Sequence, residues 1–360
     1  MRTLVELREA PPPAVLDGAL GLALATGSAL RVTGPLLGAD LDLAAAAVKL
    51  GDPDAVQAAR ERLSRPGPVE LALPHPRAGM HVLELTSPGA VARALWTLPW
   101  PLALLGKPSE LRLMGPNHAE GQPTFHDLRL GWAPLAAQFG LKMSLELAQA
   151  GFGGDEGGLV ASLDPAPALI SLHLVHRGLL RQVTVVAAVA GGRHEAGLEA
   201  AQQAVRALRR QGVIAEAERV PMPISPNAPG RNRWAITATA EFEHSVVTVS
   251  ELGPPPAFGD AGAPAAVGER VAERLVRFLS RRGAVDAGTA ERLMLPSILC
   301  AAGLGARAGP PPSCHYTTSE LTEGAIELAT LARTAVPVRA IVDGEPGEEG
   351  VIVVTPAAPQ

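Results

Sequence analysis

Aromatic residues are scarce in this chain: six Phe, four Trp and a single Tyr among 360 residues. Alanine, leucine and valine must therefore fill the core, and each ring is worth locating. Cysteine is scarcer. Cys300 and Cys314 are too few for a disulfide framework and lack zinc-ligand spacing, which points to a reducing, cytoplasmic setting. Long apolar runs are missing too. The opening MRTLVELREAPPP has no apolar stretch followed by a small-residue cleavage site, and the longest apolar stretch, around Ala94–Gly106, is interrupted by Pro99 and Pro101. Neither a secretory leader nor a membrane span is expected. Basic charge is not in excess. A formal charge of -5 and a pI near 6.0 argue against a whole-surface grip on nucleic acid, while leaving a local basic groove open.

What is present is a chain able to fold: 47% of it is hydrophobic, enough for more than one domain's worth of core. The 38 Gly and 34 Pro imply many turns between short elements. The pattern alternates short strands with helices. AVLDGALGLALATG reads as a helix ending at Gly27, and SPGAVARALWTL as a helix with Ser87 as its cap and Pro88 at its first position. TFHDLRLGWAPLAAQFG reads as a helix that kinks or restarts at Pro134, and three strands follow between Leu141 and His176. QVTVVAAVA and a long amphipathic helix, RHEAGLEAAQQAVRALRRQG, open a block over 182–267 that reads as a separate or inserted α/β domain. Mixed, often adjacent strands and helices make the fold class α+β, or repeated βαβ-type units.

The usual chemical signatures are absent. No P-loop, G-x-S-x-G elbow or H-E-x-x-H occurs, and no G-x-G-x-x-G joins a strand to a helix. GFGGDEGG at 151–158 lies between two strands and reads as a wide hairpin loop rather than a phosphate cradle. His118 and His126, with Glu120 between them and Asp127 next to the second, read as solvated loop residues rather than metal ligands. His173 and His176 read as surface groups at a strand end. Arg231 and Arg233 beside Trp234 suit either an exposed loop with an anchoring tryptophan or a phosphate grip with a base stacked on the ring. GPPPSCHYTT differs in kind. Its three prolines stiffen the approach to His315, and a rigid mount benefits an imidazole that must be aimed. Imidazole is also a good nucleophile near neutral pH. Spacing alone leaves a structural and a catalytic His315 equally open.

The stretch RLMLPSILCAAGLGARAGPPPSCHYTT resembles the RNA 3'-terminal phosphate cyclase family, with its QL-LP-AL helix and its loop ending P-S-C-H. SPGAVARALWTLPWPLALLGKPSELRLMG is similar to that family's S-A-G-S helix and PSELRLKGG strand, and NHAEGQPTFHDLRLGWAPLAAQFGLKM to its TNAE-AP loop and following helix. The resemblance implies a discontinuous large domain, 1–181 and 268–360, of three β-α-β-α-β-β repeats, with a smaller α/β domain inserted at 182–267. It implies an ATP-dependent reaction in which His315 takes AMP from ATP, helped by a divalent cation (Mg or Mn). The AMP then passes to an RNA 3'-phosphate end, and the 2'-hydroxyl closes a 2',3'-cyclic phosphate. Of the family's nucleotide-site positions, Pro123 and His315 match and Glu291 keeps the charge.

The departures are specific. A nucleotide-contacting glutamine of the family falls on Trp96, which offers another stacking surface. Its adenine-stacking tyrosine falls on Gly288, and its Asp-Gln pair on Glu291-Arg292. The arginine-rich RNA-gripping segment is replaced by VTGPLLGADLDL. Two readings follow: a cyclase that holds its nucleotide differently, or a non-catalytic scaffold of the same build that binds RNA or a protein partner.

Overall fold

The computed structural model describes residues 4–8, 11–191, 195–224, 233–253, 263–305 and 309–357. Three units share one plan. The second shows it completely: β4 (Met80–Glu84), α4 (Ala90–Thr97) and α5 (Pro99–Ala103), β5 (Ser109–Met114), a helical segment, then the hairpin β6 (Met143–Gln149) and β7 (Gly158–Leu163). Its sheet order is β4-β5-β7-β6, with β4 and β5 parallel and the hairpin antiparallel. The third unit repeats this order and these directions with β8 (His173–Leu174), α10 (Ala287–Ala301), β13 (Cys314–Thr318), α11 (Glu323–Ala335), β14 (Val338–Asp343) and β15 (Gly350–Pro356). The first has β1 (Leu4–Leu7), α1 (Pro13–Thr26), β2 (Ala29–Thr33), α2 (Gly38–Lys49), α3 (Val56–Leu63) and β3 (Pro68–Ala72). Among the described residues it lacks one edge strand, and α3 precedes β3 instead. The fold is α+β, with repeated β-α-β-α-β-β units and an interrupting α/β segment.

The helices face inward and the sheets form the outside. α1 packs against α2, α4, α5, α10 and α11, and every residue from Val15 to Leu24 is buried. A helix surrounded by other helices has no polar stripe to show. Pro12 and Pro13 start it, and Gly27, at φ 67°, ends it in the left-handed region that favours glycine. Gly18 and Gly21 admit the neighbouring helices: a Cβ there would stand 2.4 Å from Leu328 and 2.4 Å from Leu295 respectively.

Three local expectations change. The cap of α4 is Gly89 at φ 84°, not Ser87, whose backbone N–H donates to Asp42 Oδ2 at 2.8 Å. Residues 32–43, where the chain departs from the family's arginine segment, run from β2 into α2 (Gly38–Lys49), an alanine-rich helix with good intrinsic propensity. Near Pro134 the helix neither breaks nor restarts. A capping box between Thr124 and Asp127 opens α6 (Phe125–Asp127), and a π-helical turn over Leu128–Trp132 carries the chain into α7 (Ala133–Gln138).

Between β8 and α10 the chain builds a fourth sheet, ordered β10-β9-β11-β12, from β9 (Leu180–Ala190), β10 (Glu216–Pro221), β11 (Arg233–Phe242) and β12 (Val246–Leu252). α8 (Glu195–Arg210) joins the parallel pair β9 and β10, and with α9 (Ala263–Leu279) it covers one face around a separate core. Gly268 lets the two helices touch, since a Cβ there would meet the Ala200 carbonyl oxygen at 2.3 Å. Phe152, Met222 and Val186 share a small apolar cluster in which this sheet meets the second unit. Trp234 is 6% exposed within β11, which removes it as a stacking platform. Arg231 lies outside the described residues.

Candidate functional site

A cavity of about 270 Å³ lies among the inward helices, with the first turns of α1 and α2 among its walls. Its wall takes Asp17 from α1, Ala39 from α2, Arg93 and Trp96 from α4, Glu291 and Arg292 from α10, and Pro123 from the approach to α6. Helix N-termini present unpaired N–H groups and a partial positive charge, which favour anions beside them. The cavity's volume lies just under the range of about 300–1,000 Å³ usual for small-molecule sites.

Charge inside the cavity is arranged, not diffuse. Arg93, buried in an otherwise apolar helix, donates to Asp17 through Nε at 2.9 Å and Nη2 at 2.6 Å, and to Asp40 through Nη1 at 2.6 Å. Burial lifts the Asp17 carboxyl to about 6, against the pull of Arg93. Burial also raises Glu291, whose Oε1 accepts a hydrogen bond from Thr322 Oγ1 at 2.5 Å. Among the described residues Arg292 has no hydrogen bond or ion pair within 4 Å. Its guanidinium carbon lies 3.6 Å from the Trp96 ring centroid. Burial lowers its affinity for a proton, offset by the nearby carboxylates of Asp286, Asp127, Glu291 and Asp17. A Cβ at Gly288 would meet Arg292 Nη2 at 3.2 Å. The guanidinium therefore stands beside the space a side chain at 288 would need, and it covers one face of Trp96. The Trp96 indole N–H is buried without a partner.

Of the four residues the resemblance would gather in one site, Trp96, Pro123 and Glu291 line this cavity and His315 does not. Strand alternation explains the separation. Cys314 and Tyr316 point inward from β13, where the Tyr316 hydroxyl donates to the Ala290 carbonyl at 3.0 Å, and His315 points to the opposite face. Its backbone N–H donates to Leu172 O at 2.8 Å, so the strand fixes its position. Both cysteines are buried, with Cys300 Sγ donating to the Leu169 carbonyl.

His118 and His126 overturn their reading as solvated loop residues: they are 0% and 4% exposed. Phe152 stacks on His118 at 4.7 Å, and Asn117 Oδ1 lies 2.7 Å from its Nδ1. Burial pushes His118 down to about 3, with His126 adding to the effect, and pushes His126 down to about 4, with Arg129 adding. Among the described residues no group of three or more His, Cys, Asp or Glu side chains is placed to hold a metal ion. Likewise, no helix there is long and apolar enough to cross a membrane.

Sequence reasoning missed Arg93 and Asp40. The available signal was a lone arginine in AVARALWTL and a lone aspartate, Asp17, in AVLDGALGLALATG: isolated opposite charges in two apolar helices suggest a buried pair, whereas Asp40, close to Asp42 in GADLDL, carries no such signal.

These features define an α+β protein built of repeated units whose inward helices enclose a cavity lined by two arginines and two carboxyl side chains. The chain belongs to a family: residues 67–342 match the sequence model of the RNA 3'-terminal phosphate cyclases. It is 30% identical over 260 residues to the RNA 3'-terminal phosphate cyclase of Ralstonia nicotianae, across 71% of this chain and 67% of that protein. The corresponding protein of Salmonella agona is 29% identical over 256 residues, across 71% of this chain and 68% of its own. That of Methylococcus capsulatus is 30% identical over 237 residues, across 62% of each chain. The family match contains Trp96, Pro123, Glu291 and His315, whereas α1 and α2, which carry Asp17 and Asp40, precede it.

Proposed function

We propose that this chain converts RNA 3'-phosphate ends to 2',3'-cyclic phosphates, using ATP and a histidine-AMP intermediate on His315, in a cytoplasmic setting. The observation that carries this reading is the family match over a segment that includes both the P-S-C-H stretch and the cavity residues Trp96, Pro123 and Glu291. A 3'-phosphate is a poor electrophile until adenylylation supplies AMP as a leaving group. In this reading Trp96, Pro123 and Glu291 flank the nucleoside end of ATP with Arg292 beside it, and the α-phosphate must extend out of the cavity to reach His315. The carboxylates there are engaged: Asp17 by Arg93 and Glu291 by Thr322. The chain therefore builds no divalent-cation cage among its described residues, and Mg or Mn enters this proposal as part of the metal-nucleotide substrate. Its contribution is neutralisation of phosphate charge.

The test is incubation with ATP labelled in its α-phosphate and Mg²⁺ or Mn²⁺. An acid-labile adenylate on the wild-type chain and none on His315→Ala is expected. No label, or equal label on both proteins, overturns the reading.

A second reading is favoured by the placement of His315 away from the cavity and of Arg292 over Trp96. In it, the chain is a non-catalytic scaffold of the same build that binds RNA or a protein partner. RNA binding unchanged by His315→Ala, without adenylate, would support it.

A further inference from the structure

The register of the third sheet places a second imidazole beside His315. β8 and β13 are parallel, with His173 paired to His315 and Leu174 to Tyr316. Paired residues on neighbouring strands project from the same face, and the strands lie about 4.8 Å apart. Leu174 and Tyr316 are both buried on the helix side, whereas His173 is exposed and His315 half-buried on the other. On the far side of His315 the paired residue is Val353, and beyond it Ile341. Across this row His173 is the polar neighbour of His315. The adjoining charged positions on that face, Arg339 and Asp343, stand two strands away on β14.

Resting on the reading of His315 given above, we propose that His173 is a second catalytic residue of the group-transfer site. Its ring N–H donates a hydrogen bond to a non-bridging oxygen of the phosphoryl group carried by His315. In the transfer, an unprotonated His315 ring nitrogen forms a bond to the α-phosphorus, and the bond from that phosphorus to the β-bridging oxygen breaks. Its electron pair leaves with pyrophosphate, and the proton on the other His315 nitrogen passes to water. His173 keeps its proton throughout. Its donor meets negative charge that grows on the equatorial oxygens in the transition state, the stage at which such a contact accelerates the reaction.

The test compares the wild-type chain with His173→Ala and His173→Gln, following initial rates of adenylate formation against ATP concentration. His173 is exposed in a two-residue strand, so both variants should fold, and thermal melting checks this. The expected result for His173→Ala is a maximal rate lowered about tenfold or more, with half-saturating ATP unchanged, as loss of a transition-state donor requires. Glutamine, which retains an N–H donor, should restore most of the rate. A rate for His173→Ala within about twofold of wild type, an effect on half-saturation instead, or no rescue by glutamine overturns the role of His173 and leaves that of His315 standing. An unlabelled wild-type chain overturns both.

Discussion

Arg93 holds Asp17 through two nitrogens, Nε and Nη2, while its third nitrogen holds Asp40. The three side chains tie α4 to α1 and α2 at the mouth of the cavity, so one ion cluster fixes three central helices. Arg93 and Asp17 side chains are 8% and 11% exposed. Removing one partner of such a buried pair strands the other.

Arg93→Met should therefore destabilise the chain by about 3–5 kcal/mol, measured by urea unfolding. The loss should grow with pH. Burial already holds the folded Asp17 carboxyl near 6, above its unfolded value of 3.8. Without the arginine it rises further, and a folded-state value above the unfolded one means stability is lost as pH rises through the window. The difference from wild type should be larger at pH 8 than at pH 5, and a pH-independent difference would contradict the assignment.

Acid should act on the buried histidines. In the folded chain His118 titrates near 3 and His126 near 4, whereas the ordinary imidazole value is 6.5. Between about pH 6.5 and 4 the unfolded chain binds protons that the folded chain refuses, so these groups make stability fall as pH falls, by up to about 1.4 kcal/mol per pH unit for each histidine. Asp17 acts in the opposite sense over part of that window, so the comparison is with a variant. His126→Leu should flatten the wild-type acid slope by close to one proton, read from urea midpoints at several pH values.

The fold was legible where a stop signal or a single period dominates. α1 was read to its Gly27 end, and α8 from its amphipathic stripe. α2 has no such stripe, because Asp42 to Val48 are all buried between other helices. Ser87 looked like a cap, but its amide is spent on Asp42, 45 residues away. The histidines looked solvated because they sit among acidic and loop residues. Their burial depends on Phe152, and on the inserted sheet whose Ser250 and Thr237 meet Asp127 and Thr124. The candidate site divides in the same way. Trp96, Pro123 and Glu291 could be gathered from sequence blocks, while the pairing of Arg93 with Asp17, 76 residues apart, and the side of the sheet that His315 takes come only from packing.

Close packing gives a local prediction in the inserted segment. α8 and α9 approach so nearly at Gly268 that an alanine there would press its Cβ against the Ala200 carbonyl and the Ala204 amide nitrogen, 2.3 and 2.9 Å away. These are backbone atoms and cannot swing aside. Gly268→Ala should cost about 1–3 kcal/mol as the helices separate. Hydrogen exchange should quicken in both helices while the central helix α1 keeps its protection. Uniform loss of protection would show that the two cores unfold as one.

Arg292 separates binding from stability. Its guanidinium rests on Trp96 and makes no ion pair within 4 Å among the described residues, so the folded state gains from it a cation–π contact, about 0.5–2 kcal/mol, and the longer-range attraction of nearby carboxylates, set against the cost of burying a charge. A phosphate entering the cavity would gain a charge-assisted hydrogen bond from the same group, about 1.5–3 kcal/mol, or roughly 10- to 100-fold in affinity. Arg292→Ala should thus weaken binding of ATP or inorganic pyrophosphate by about that factor in calorimetric titration, with a small change in melting temperature. Added salt should weaken wild-type binding more steeply than that of the variant, because one cation fewer faces the anion. Equal affinities in the two proteins would place the anion elsewhere and leave Arg292 as the side chain that fills the space beside Gly288.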